Sequence, residues 1–104
     1  MTELEKSIEK KLVTMVKRHG GRCLKWVCPG WSGVPDRILL LPGGRVYFVE
    51  TKRPKGGRLM ALQCKWRDWL TALGFFCSVV WTETDIDMLE LVIIRDINGG
   101  RIEK

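Results

Sequence analysis

The order of apolar and polar positions divides the chain into seven elements. Leu4, Ile8, Leu12, Met15 and Val16 recur three to four residues apart, which predicts an amphipathic helix over residues 2–19. Thr2 and Glu5 fit a capping box at its start, and Gly20-Gly21 stops it. Residues 23–28 predict a first strand with Trp26 as a core anchor, and a loop over 29–35 carries Trp31. There Trp31 suits either the cover of a core edge or a stack on a base, and the first is favoured slightly. Leu39, Leu40 and Leu41 close a second strand, Pro42-Gly43-Gly44 interrupts the run, and residues 46–49 form a third. Both strands are apolar on both faces, as central, covered strands are. Leu59, Leu62, Trp66, Trp69, Leu70 and Leu73 mark a helix over 59–73, stopped by Gly74. Residues 75–81, apolar throughout, predict a central fourth strand. Thr84 and Asp87 suggest a capping box for a short helix to about residue 94, with a polar tail over 98–104. The order αβββαβ plus a C-terminal helix is that of an α/β domain whose mixed four-stranded sheet is flanked by helices. The length of 104 residues fits one domain.

The hairpin carries the candidate chemistry. A three-residue loop, Pro42 to Gly44, sets Leu41 opposite Arg45 and, counted back, Asp36 opposite Glu50. Opposed residues share a face, and Lys52, two beyond Glu50, joins it. A two-residue turn would instead oppose Asp36 to Thr51 and separate the acids, because one step of slip reverses the faces. Charges on a hairpin usually form a solvated salt bridge of little worth. Two acids at the rim of a sheet apolar on both faces need a stronger reason, and a divalent cation supplies one, since hard cations take oxygen ligands.

Pro35-Asp36 followed by Glu50-Thr51-Lys52 resembles the PD-(D/E)XK nuclease signature. The longer run GVPDRILLLPGGRVYFVETKRPKGG, with Leu62-Gln63 after it, resembles the VRR-NUC branch, over most of the chain to about Glu90. The resemblance implies a restriction-endonuclease-like core and a metal-dependent endonuclease of the standalone phage or bacterial type. Asp36, Glu50 and the Thr51 carbonyl would be metal ligands and Lys52 a catalytic cation. It further implies a glutamate on the first helix, here Glu9 with Glu5 as the alternative, and a glutamine bordering the site, here Gln63. Mg²⁺ fits such a donor set and Mn²⁺ should substitute. The resembled proteins also point to a homodimer acting on branched DNA such as four-way (Holliday) junctions, as in DNA repair.

Charge adds a partner. The formal net charge is +6 and the isoelectric point about 9.4, which favours a polyanion. Arg53, Lys55 and Arg58, in the glycine-bearing loop after Lys52, with Arg37 beside Asp36, are candidate phosphate contacts. Cys23, Cys28, Cys64 and Cys77 form no C-x-x-C pair, and with one histidine they read as buried free thiols of a reducing cytoplasm. No apolar run is long enough to span a membrane, and the charged N-terminus is unlike a signal peptide. No Ser-His-Asp set or Walker-type GxxxxGK[ST] supports acyl transfer or a nucleotide cofactor. Two further readings stay open: a non-catalytic nucleic-acid-binding module, which would hold DNA equally well with chelator, and a nickase of flaps or single strands working within a larger complex.

Overall fold

A computed structural model describes residues 3–53 and 56–102, with side chains for 5–53 and 56–99. Helix α1 (Glu3–Arg18) leads into strands β1 (Arg22–Lys25), β2 (Arg37–Leu41) and β3 (Arg45–Thr51). Helix α2 (Ala61–Ala72), strand β4 (Phe76–Val80) and helix α3 (Glu83–Ile102) follow. The sheet order is β1-β2-β3-β4, antiparallel up to β3 and parallel between β3 and β4. This is the mixed, helix-flanked sheet of a restriction-endonuclease-like core.

The ladder between β2 and β3 pairs Leu41 with Arg45 and runs back to Arg37 with Val49. The turn is therefore the three-residue one, and Gly43 and Gly44 both adopt positive φ, 85° and 74°, which other residues resist. One face of the hairpin, Leu39, Leu41, Tyr47 and Val49, joins Ile8, Leu12, Met15 and Val16 of α1 and Ile86, Leu89 and Ile93 of α3 in the main core. The opposite face meets α2 through aromatic rings. Phe48 packs on Trp26 at 5.1 Å and on Phe75 at 5.3 Å, and Trp26 meets Trp66 at 6.1 Å.

Several elements depart from the pattern-based expectation. The first strand covers only Arg22–Lys25, although Trp26 N–H still donates to the Asp36 carbonyl at 2.8 Å. Strand β4 is an edge strand rather than a central one. Its apolar sequence is explained by helices, since both α2 and α3 pack on it. The cap of α3 is Thr82 with Asp85, two residues early. Thr82 N–H donates to Asp85 Oδ2 and Asp85 N–H to Thr82 Oγ1. Helix α3 also continues past residue 94 to Ile102, replacing the expected start of a tail. Asp96 holds it there, accepting from the Tyr47 hydroxyl at 2.6 Å, while its carbonyl accepts from Arg45 at 3.0 Å. The proposed cap residue Thr2 lies outside the described residues, as does the side chain of Leu4. The four cysteines are free and half-buried rather than buried.

Candidate active site

Strand β3 ends at Thr51, so Glu50, Thr51 and Lys52 emerge where the sheet stops and backbone donors become available. Asp36 precedes β2 by one residue; its carbonyl is held by Trp26 N–H, and its own N–H donates to Glu50 Oε1 at 3.2 Å rather than into the ladder. Its carboxylate bends across the strand end to Thr51, accepting from the backbone N–H at 2.9 Å and from the hydroxyl at 2.6 Å. Lys52 Nζ stands 3.6 Å from Glu50 Oε2. The Lys52 backbone N–H donates to the Val80 carbonyl at 2.9 Å, which ties the site to β4.

Helix α2 completes the cluster. Gln63 Oε1 accepts from Met60 N–H at 2.9 Å, one of the donors that a helix start leaves unpaired. That bond orients the amide so that Nε2 donates to Glu50 Oε2 at 3.0 Å. The loop before Asp36 is pressed on the same helix turn. Trp66 Nε1 donates to the Ser32 carbonyl at 2.9 Å. Gly33, at φ +86°, sits so close that an added Cβ would lie 2.7 Å from Leu62 Cγ.

Burial, and after it the charge of Asp36, pushes the Glu50 carboxyl up to about 6, with Lys52 opposing. A carboxylate that costs more to ionise beside a second one suits a shared cation. Each carboxylate offers about four lone-pair positions. Asp36 uses two of them in hydrogen bonds and Glu50 two, so both keep capacity. No third acid, histidine or cysteine joins the pair among the described residues. Two carboxylates with spare lone pairs are oxygen donors of the kind that hard divalent cations accept.

The chain is 47% identical over 70 residues to "Putative nuclease p44" of Acyrthosiphon pisum secondary endosymbiont phage 1, a match covering 67% of this chain and 74% of that protein. A solved structure described as "VRR_NUC domain" aligns with a TM-score of 0.78 at 26% identity, over 85% of this chain and 95% of that one. The chain belongs to the VRR-NUC family of nucleases. No protein-family model matches it.

Other candidate residues of this VRR-NUC chain surround the cluster or pair elsewhere. Glu9 faces the α1 side of the sheet, where its Oε1 accepts from Arg37 Nη2 at 3.2 Å. The Glu9 carboxylate is thus held by arginine, and among the described residues it is not grouped with Asp36 and Glu50. Arg37, only 7% exposed, is a buried partner for Glu9, and its Nε has no hydrogen-bond partner among the described residues. Glu5 stands 4.0 Å from Arg53 Nε. Arg53 and Arg58 are exposed near the site, and Lys55 lies outside the described residues.

Two neighbours went unnoticed in the sequence. Arg67 and Cys77 line a pocket of about 10 Å³ behind Glu50 and Gln63, room for about one water. Arg67 was findable, being one helical turn after Gln63. Burial pushes the Cys77 thiol up to about 11, so it stays protonated near neutrality and is no nucleophile.

Proposed function

We propose that this VRR-NUC domain is a divalent-metal-dependent, structure-specific DNA endonuclease that hydrolyses phosphodiester bonds in branched DNA such as four-way junctions. The observation that carries the reading is the convergence of Asp36, Glu50 and Lys52 where β3 ends. Asp36, Glu50 and the Thr51 carbonyl would hold Mg²⁺, or Mn²⁺ in its place, with Glu9, or Glu5 as its alternative, the acid that α1 contributes. Bound there, the ion would lower the barrier to water attack and offset charge on the phosphate. Thr51 fixes the Asp36 carboxylate through two donors, and Gln63 fixes Glu50. Lys52 places an ammonium where an attacking water or developing negative charge would lie. Arg53, Lys55 and Arg58 would bind flanking phosphates without reading bases.

The working unit is proposed to be a homodimer. One cluster cuts one strand, and a two-fold pair sets two clusters across a symmetric junction. Met88 and Leu91, exposed on α3, offer apolar surface for such a contact. Labelled four-way junctions, forks, flaps and linear duplexes incubated with Mg²⁺ or with chelator test the function. Paired incisions in the junction, lost with chelator, are expected. Preferential cutting of linear duplex would overturn the branch preference, and undiminished cutting in chelator would overturn the metal dependence.

A further inference from the structure

Helix α2 buries only Leu70. The rest of its apolar stripe stays open, with Leu62, Trp69 and Leu73 exposed. With the loop before Asp36, the helix forms a cleft of about 520 Å³ lined by Gly30, Trp31, Leu62, Lys65, Trp66 and Trp69. Clefts of this size accept small planar ligands. Trp66 stands at its centre, fixed by its bond to Ser32. Trp31 and Trp69 flank it at 6.0 and 4.9 Å, tilted by 89° and 68°, and are 64% and 54% exposed. Apolar rings left this open are surface that a partner covers.

We propose that this cleft binds an unpaired nucleobase of the DNA substrate beside the cleavage site, an inference that rests on the nuclease reading above. Indoles stack on any base, which suits an enzyme that reads structure rather than sequence. Lys65 adds a cation for the neighbouring phosphate. A second copy of the chain would bring the same +6 charge and the same lysine to this face, whereas a DNA strand brings the opposite charge. The cleft is also continuous with the site. Gln63, bonded to Glu50, precedes Trp66 by three residues, a rise of about 5 Å along the helix. A base displaced at a branch point or flap and lodged here would hold its own backbone near Asp36 and Glu50. The cleft thus supplies a physical basis for preferring branched over continuous duplex DNA.

The test is a binding measurement in chelator, where no cutting interferes. Fluorescence anisotropy compares a blunt duplex, the same duplex with a short single-stranded overhang, and one whose overhang is abasic. The protein should bind the native overhang about tenfold tighter than the abasic one, and only the native overhang should quench tryptophan fluorescence. Trp31→Ala and Trp69→Ala should each shrink that preference and leave blunt-duplex affinity unchanged. Equal affinity for native and abasic overhangs would overturn the proposal, as would variants that keep the preference. A fall in mass on light scattering of Trp69→Ala would also overturn it, by giving the cleft to a second copy. Because no arm depends on cleavage, a chain that failed to cut DNA would leave the outcome readable.

Discussion

Lys52 reaches the cluster by its side chain alone, since its backbone N–H is committed to β4. Truncating it should therefore leave the sheet intact. Lys52→Ala is expected to lower Mg²⁺-dependent cleavage by about 10²-fold or more with the melting temperature and DNA affinity unchanged; a wild-type rate would refute its catalytic role. Glu50 makes a second prediction, in pH. Its folded pKa, about 6, lies above the ordinary carboxylate value. It therefore contributes stability that is fully present below that ordinary value and is lost as pH rises through about 6, worth about 1–2 kcal/mol in the metal-free protein. Mg²⁺ needs the ionised form, so the rise in melting temperature on adding it should be larger at pH 8 than at pH 5. Equal rises in calorimetry would speak against Glu50 as a ligand. The closeness of Asp36, Glu50 and Lys52 was legible because strand alternation and one turn length determine their relation, whereas Gln63 came only from the family resemblance. The pairing of Glu9 with Arg37 was not. Helical spacing shows which residues share a face, but not where along the sheet that face lands.

At the scale of elements, α3 depends on a short polar anchor. The Tyr47 hydroxyl donates to Asp96, and burial, with Asp96 behind it, holds the phenol above its usual pKa and so protonated. Tyr47→Phe is expected to cost about 1–3 kcal/mol, because the hydrogen bond to a charged acceptor goes while the ring still packs. Chemical denaturation measures it, and cleavage at saturating substrate should stay unchanged. The same anchor explains why α3 outran expectation. Asn98-Gly99-Gly100 looks like a stop, but a favourable contact with β3 outweighs roughly 1 kcal/mol per glycine. Element type was read correctly throughout, since alternation and helical spacing are local signals. The edge position of β4 and the exposed stripe of α2 were hidden, because apolarity announces that surface will be covered and not by what.

For the molecule as a whole, a charge of +6 on 104 residues dominates how it meets DNA. Neutralising Arg53, Lys55 and Arg58 together should weaken binding to all sequences alike. It should also reduce the salt dependence, by close to one unit of log–log slope for each phosphate no longer neutralised. Titrations at several salt concentrations would show it, and a loss confined to one sequence would argue for base readout. Light scattering tests the proposed homodimer: a mass near the 12.0 kDa chain at working concentration would refute it. The fold class was legible in full, because element order and the parallel crossover through α2 admit few topologies. Quaternary arrangement leaves no periodic trace along one chain.

The three-residue turn of the hairpin has a kinetic consequence. Asp36 meets Glu50 across only 14 residues, and Glu50 meets Gln63 across 13. Loops this short close at low entropic cost, and contacts close in sequence form fast. Arg18 on α1, by contrast, reaches Glu90 on α3 across 72 residues. The contacts among Asp36, Glu50 and Gln63 are thus expected to form before α1 packs on α3, an order that φ-value analysis tests. Weakening the contact between α1 and α3 would then show mainly as faster unfolding, with refolding of the hairpin little slowed.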